Sequence, residues 1–436
     1  MMTKWAIWAK VGLYAGSARD NRRANTPDSQ AASEEEIMAT QDFDFTDFIG
    51  DRVPVGMPAP PRTDRAKYDF GTGFPDPDSF PAEGLHKALG RALKDHGRDM
   101  VLYPDPQGYL PFREFIANKL DQERGINVDP DQVLLTGGSG VALAIVSQLF
   151  TNPGDTLLTE QFTYTGTLAV MRNVRANILG VATDDEGMRP DALDETIQDL
   201  VRQGTRPKFV YTIPTFQNPL GTDMSAQRRQ DILAVARKHG IPVFEDDAYE
   251  DLRFEGERSP AIHSYDDTNM VLYCGTFSKI LGPGMRLGYL IAPQPLMQQV
   301  NALNWGRPTS HFAAMAAYYY LQDHLDDHVE EINDILRAKR DTMLAAIGES
   351  MGSAAISSNP DGGLYLWLRL PEGADANAVS GKAHERGIAY LPGPRFSPSG
   401  EGANYLRLCY GYEDHQGIRD GIAALADVFA DEGLLS

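Results

Sequence analysis

Tyr273-Cys274-Gly275-Thr276-Phe277-Ser278-Lys279-Ile280-Leu281-Gly282-Pro283-Gly284-Met285-Arg286-Leu287-Gly288-Tyr289 sets one lysine in a run of small and hydroxyl residues, seven positions before an arginine. Val271-Leu272-Tyr273 at its head reads as a buried strand, which puts the lysine in a loop at the strand's carboxyl end. A hydrated surface ammonium is a poor nucleophile. Partly desolvated beside a second cation, a lysine gives up its proton more easily and the free amine becomes available. The chemistry that suits such an amine is a Schiff base with an aldehyde. Arg286 could be the second cation, or it could neutralise a phosphate that the Thr276 hydroxyl also binds. Taken alone, the stretch could equally be a buried strand and a Gly-Pro-Gly turn with an incidental lysine.

The chain on either side settles the class. Short apolar strands alternate with helical periods, so the class is α/β. Gln132 to Thr136 reads as a strand, Gly137-Gly138-Ser139-Gly140 as a glycine-rich turn, and Val141-Ala142-Leu143 as the start of a helix. Strand, glycine turn and helix together aim free backbone N–H groups at an anion. Thr156 to Glu160 leads to Phe162-Thr163-Tyr164, and Phe209 to Ile213 leads to Pro214-Thr215-Phe216-Gln217-Asn218-Pro219. Ile241 to Phe244 leads to Glu245-Asp246-Asp247-Ala248-Tyr249. In open α/β sheets ligands sit at the carboxyl ends of the strands, and each of these strands ends in a residue suited to work there.

Pyridoxal phosphate would use all of them. It needs a lysine for its aldehyde, an acid at the ring nitrogen, a flat group over the ring, donors to the 3-oxygen and a phosphate cup. Lys279 and Asp246 answer the first two requirements, and Tyr164 answers the third. Asn218 and Tyr249 suit the 3-oxygen, and Ser139, Gly140, Thr276 and Arg286 suit the phosphate.

In order and spacing these residues resemble the fold-type I aminotransferases, from about residue 66 to the C-terminus. Asp246-Asp247-Ala248-Tyr249 is similar to that family's Asp-x-Ala-Tyr, Thr276-Phe277-Ser278-Lys279 to its Ser-x-Ser-Lys, and the Asn218 loop to its 3-oxygen loop. Asn404-Tyr405-Leu406-Arg407-Leu408 is similar to the late strand whose arginine forks onto a substrate α-carboxylate, a bidentate task suited to a guanidinium. Phe74-Pro75-Asp76-Pro77, Ile213 to Gly221 and Gly362-Gly363-Leu364-Tyr365-Leu366-Trp367 resemble the branch of 2-aminoadipate and kynurenine-type aminotransferases. The resemblance implies a large domain with a mostly parallel seven-stranded sheet between helices, and a smaller α+β C-terminal domain. It implies transamination between an amino acid and a 2-oxo acid, with 2-oxoglutarate as acceptor, through a Lys279 Schiff base. Lys279, Asp246 and Tyr249 would be catalytic. Ser139, Gly140, Val141, Tyr164, Asn218, Thr276, Ser278 and Arg286 would hold the cofactor, and Arg407, Gly73 and Asn218 the substrate. A homodimer with shared sites is implied too, Tyr103 reaching the partner's cofactor phosphate. Two departures from the branch, Ser139-Gly140-Val141 for its Ser-Gln-Gln and Leu408-Cys409 for its aromatic-Ser, keep elimination, decarboxylation or oxidation at the α-carbon as the alternative. A cofactor-binding sensor without catalysis is a further rival.

The organisation expected is a disordered tail over 1–40, an extended arm over 41–75, a cofactor-binding domain over 76–310, and a connecting helix with a small domain over 311–436. Trp5 to Tyr14 faintly resembles an export signal, but Lys10 interrupts it and a floppy extension is the reading. Too few residues precede the arm for a winged helix, since a domain takes ~50 residues or more. With 40 basic against 61 acidic residues the formal charge is −21, which disfavours nucleic acid or anionic membrane as a partner. No apolar run approaches the ~18 residues of a membrane span. Two cysteines, Cys274 and Cys409, make neither a disulfide framework nor a metal site, and fit a reducing cytoplasm. For a second carboxylate on the substrate, the arginines to consider are Arg52, Arg62, Arg65 and Arg307, beside a pocket formed by the arm, Gly73 and the Trp305 to His311 region.

Overall fold

Strands covered on both faces need mostly apolar runs, and six such runs assemble with one exposed edge strand into a single sheet. The seven strands are β1 (Val133–Thr136), β2 (Thr156–Glu160), β3 (Asn177–Val181), β4 (Val210–Thr212), β5 (Val243–Asp246), β6 (Val271–Thr276) and β7 (Gly288–Ile291). Their order is β1-β7-β6-β5-β4-β2-β3. β7 runs antiparallel to both neighbours, and the other pairings are parallel. Every strand but the edge strand β3 is buried almost throughout. This computed structural model describes Asp44, Phe48, Ile49 and residues 65–435. The chain divides into two compact units, Met1–Val53 and Pro54–Ser436, and the account that follows concerns the second. The expected tail and most of the expected arm, with Arg52 and Arg62, lie outside the described residues.

α1 spans Ala82–His96, and α2 spans Leu110–Arg124 and ends at Gly125 in the left-handed conformation. α2 buries an apolar stripe of Phe112, Ile116 and Leu120, but it also buries Arg113, Lys119 and Arg124. α3 (Ser139–Phe150) begins two residues earlier than expected. Gly138 is the reason: its φ of 95°, costly for any other residue, turns the chain directly into the helix. α4 (His311–Met351) is one continuous helix, capped by the Ser310 hydroxyl on the Ala313 N–H. Its Tyr319 and Tyr320 pack into the core.

A second, antiparallel sheet takes β8 (Ile356–Ser357), β9 (Tyr365–Arg369), β10 (Leu391–Pro392) and β11 (Tyr405–Cys409) in the order β8-β9-β11-β10. Tyr68–Asp69 pairs in parallel with Ile388–Ala389. The Cys409 N–H then donates to Phe70 O (2.9 Å for Phe70 N to Ala389 O, 2.8 Å for Cys409 N to Phe70 O). These bonds lead the chain from Phe70 to Gly73 past the end of β11, two residues from Arg407.

Candidate active site

Asp246 is the last residue of β5 and lies opposite Cys274 of β6. It is 5 % exposed. Its Oδ2 accepts from the Tyr211 hydroxyl at 2.7 Å, and the Thr167 hydroxyl donates in turn to Tyr211 at 2.9 Å. Oδ1 is buried without a hydrogen-bond partner among the described residues. Burial pushes this carboxyl up to about 6 against the pull of Tyr211 and the neighbouring Cys274 thiol, which hold it down.

Lys279 follows β6 in the loop. Its Nζ donates to Gly73 O at 3.0 Å and lies 5.7 Å from the centre of the Tyr249 ring. Burial and, less strongly, the charge of Arg407 lower it to about 8 against the opposing pull of Cys409 and Asp246. Only glycine fits position 73, since a Cβ there would sit 2.0 Å from the Tyr365 hydroxyl oxygen.

Arg407, in the middle of β11, is 2 % exposed and has no carboxylate partner among the described residues. Its Nη1 donates to Asn218 Oδ1 at 2.8 Å and its Nη2 to Gly71 O at 2.5 Å, while Nε has no partner. The guanidinium lies over the Tyr365 ring (4.1 Å) and near that of Phe396 (5.1 Å). Asn218 Nδ2 donates to the Tyr249 hydroxyl at 2.9 Å. A buried guanidinium held only by neutral groups is a costly arrangement, and it is the setting that a small carboxylate would complete.

A second cluster forms at the head of α3. No side chain caps this helix, so its first N–H groups lack an intrahelical partner. The Val141 N–H turns back to Gly138 O at 3.0 Å, which leaves Ser139 and Gly140 as the open donors. Arg286 takes a left-handed φ of 53°, uncommon outside glycine and often tied to function. Its Nη2 donates to Gly137 O at 2.5 Å. The Thr276 hydroxyl bonds Ser278 Oγ (2.9 Å) and Leu287 O (3.1 Å). Tyr164, just before the helix Thr165–Asn173, is partly exposed and near enough to Tyr249 and Tyr365 to influence both electrostatically.

The structure thus brings together Lys279, Asp246, Asn218, Tyr249, Arg407 and Gly73. Ser139, Gly140, Val141, Thr276, Ser278 and Arg286 gather beside them, and Tyr103 stands apart, fully exposed. Arg65 is engaged elsewhere, paired with Asp69 and lying over Tyr412; Arg307 is exposed. The sequence reading missed Tyr211, Thr167 and the role of Tyr365 as a contact. A tyrosine at a strand end, as Tyr211 nearly is, was the available signal. Among the described residues no His, Cys, Asp and Glu cluster is arranged to hold a metal ion, and no helix is long and apolar enough to cross a membrane.

Pyridoxal phosphate fits these residues. The unpartnered Asp246 Oδ1 needs a buried donor such as a pyridinium N–H, and Lys279 offers a desolvated amine. The uncapped helix and Arg286 offer donors for a phosphate. Residues 66–425 match the model for aminotransferase class I and II. The chain is 34% identical to aromatic-amino-acid aminotransferase 1 of Thermococcus litoralis over 83% of its own length and 87% of the relative's. Among solved structures, it superposes on a multiple substrate aminotransferase from Thermococcus profundus with a TM-score of 0.84 at 31% identity, covering 90% and 99% of the two chains. An alpha-aminoadipate aminotransferase from Thermus thermophilus, complexed with N-(5'-phosphopyridoxyl)-L-leucine, gives 0.78 at 32% identity over 84% and 92%.

Proposed function

This chain belongs to the class I and II aminotransferases, PLP-dependent enzymes, and from that premise we propose a broad aminotransferase that takes amino groups from aromatic, aminoadipate or branched-chain donors and gives them to 2-oxoglutarate. Relatives that act on aromatic amino acids, on several substrates and on aminoadipate support that range. The observation that carries the reading is the convergence of half-buried Lys279 with buried Asp246 and Arg407, three ionisable groups whose hydrogen-bond partners are all neutral.

Pyridoxal phosphate, when bound, supplies an aldehyde for amine exchange and an electron-withdrawing ring for the α-carbon of the amino acid. Lys279, brought to about 8 chiefly by burial, would be the amine for the aldehyde, and once free it would be the base that takes the α-proton and the acid that returns it. Asp246 would keep the ring nitrogen protonated through Oδ1. Asn218 and Tyr249 would hold the 3-oxygen. Ser139, Gly140, Thr276, Ser278 and Arg286 would hold the phosphate, and Tyr164 would pack against the ring. Arg407 exchanges its bonds to Gly71 O and Asn218 for the α-carboxylate, and Gly73 leaves the room that the substrate needs.

The division into domains over 76–310 and 311–436 belongs to the same reading, and so does a homodimer with shared sites. Val101, Leu102, Tyr103 and Trp305 are large apolar side chains left strongly exposed, as residues of an interface are. Mixing Tyr103→Phe with Lys279→Ala subunits would restore intact sites if sites are shared; a competent monomer on sizing would exclude it. Two buried free thiols suit a reducing, cytoplasmic setting. The deciding experiment incubates holoenzyme with pooled amino acids, with and without 2-oxoglutarate, and reads products by mass spectrometry. Oxo acids that appear only with 2-oxoglutarate, paired with glutamate, are expected. Turnover without an oxo acid, releasing ammonia, carbon dioxide or peroxide, would contradict transamination.

A further inference from the structure

Tyr365, the first residue of β9, is buried at the substrate end of the site, and neither its ring nor its hydroxyl is idle. Its ring carries Arg407 on one face at 4.1 Å and meets the Tyr249 ring edge-on (5.7 Å between centres, 84° between planes). Its hydroxyl oxygen accepts from the Tyr249 hydroxyl at 3.3 Å. It also lies where any side chain at position 73 would collide, and Gly73 O is the acceptor that holds Lys279. Arg407 donates to Asn218, Asn218 to Tyr249, and Tyr249 to Tyr365, whose ring supports Arg407 again. Four side chains close a circuit. A buried hydroxyl is costly unless it is used, so packing alone would be met by phenylalanine.

We propose that Tyr365 is a positioning residue with two separable effects: its ring seats Arg407 to receive an α-carboxylate, and its hydroxyl orients the Tyr249 proton at the cofactor's edge. This rests on the proposed function. The guanidinium of Arg407 can rotate about several bonds, and a flat ring at cation–π distance restricts it to the plane that a bidentate carboxylate needs. When a carboxylate takes the Arg407 donors, Asn218 loses one partner. With cofactor bound, the Tyr365 hydroxyl reverses its role and donates its own proton to the Tyr249 oxygen, which frees the Tyr249 proton for the 3-oxygen and fixes its direction. The titratable and charged groups facing the Tyr365 hydroxyl are Tyr249, Tyr164, Cys409 and Arg407, with Lys279 beyond Gly73 O.

The test compares wild-type, Tyr365→Phe and Tyr365→Leu holoenzymes by KM for the amino donor, by kcat, and by pH titration of the bound cofactor's visible absorbance. Tyr365→Phe keeps the ring, so KM should stay within about twofold while kcat falls several-fold and the absorbance midpoint moves. Tyr365→Leu loses both, so KM should also rise about tenfold or more. Equal KM values in the two variants would overturn the role of the ring. A wild-type absorbance titration in Tyr365→Phe would overturn the role of the hydroxyl, and that variant preserves the packing should Tyr365→Leu not fold. A wild type with no chromophore and no half-reaction overturns the proposed function and this inference together. A normal wild type with unresponsive variants overturns this inference alone.

Discussion

Asp246 and Asp247 are neighbours in the chain, both buried, and the protein treats them in opposite ways. Asp246 faces the site with a tyrosine hydroxyl on one oxygen and no hydrogen-bond partner on the other among the described residues, and burial raises it. For Asp247 burial also acts upward, but Arg124 and Arg229 outweigh it and hold the carboxyl below its ordinary range. Asp247 belongs to a buried ion network behind the site. Arg124 pairs with Asp247 and Glu250, and Lys119 pairs with Glu250, Asp251 and Glu123. The Tyr273 and Tyr289 hydroxyls donate to the same carboxylates. In the network every charge meets an opposite charge. In the site Lys279, Asp246 and Arg407 meet a carbonyl, a hydroxyl and an amide. Charges that hold structure are neutralised by the protein itself; charges that do chemistry are left for the ligands to neutralise.

Substituting within each group separates them. Asp246→Asn should cut turnover by ~10³-fold or more while the protein still folds and retains cofactor. Its apoprotein should gain stability over wild type. A raised carboxyl costs nothing below its unfolded value near 3.8 and its full penalty above the folded value of about 6. The gain, on the order of 1–3 kcal/mol, should therefore grow between those limits and vanish in acid. Denaturant titrations at several pH values measure it; a loss of stability at neutral pH would break the contrast. Arg124→Met should do the reverse, costing about 3–5 kcal/mol because Asp247 is left buried and unpaired. Any variant protein that folds should still show the cofactor's absorbance.

Most of the site's face of this contrast was legible in the sequence, because its residues fall at strand ends in short local motifs. The glycine turn, the lysine loop and the Asp246 to Tyr249 run each carry their meaning within a few residues, and the alternation of strands and helices orders them. The other face was not legible. α2 reads as an amphipathic helix, and nothing near Lys119 in the chain announces Glu250, 131 residues away. Tyr365 was quoted in a motif, but its hydroxyl acquires a meaning only when folding sets it against Gly73 and Tyr249. The start of α3 was misplaced by two residues because a left-handed Gly138 is a backbone state, and a Gly-Gly-Ser-Gly run leaves its position open.

Two smaller changes sharpen the comparison. Arg407→Lys keeps the charge and loses the fork, so KM for the amino donor should rise about tenfold or more with a smaller change in kcat. An unchanged KM would move the carboxylate elsewhere. Tyr211→Phe removes the one donor with good geometry on Asp246 among the described residues, so that carboxyl should rise further. Its turnover should fall several-fold, and the acid limb of the kcat profile should move to higher pH. A profile that stays in place would mean that Tyr211 only packs.

The central claim is that Lys279 is the amine that carries the cofactor. Wild-type and Lys279→Ala proteins, purified with pyridoxal phosphate and treated with borohydride, give the most direct test when the visible absorbance and the intact mass are read before and after. The wild type should lose its visible band and gain the mass of one reduced cofactor at Lys279, and the variant should show neither band nor adduct. A Lys279→Ala protein that keeps a borohydride-reducible chromophore would contradict the account.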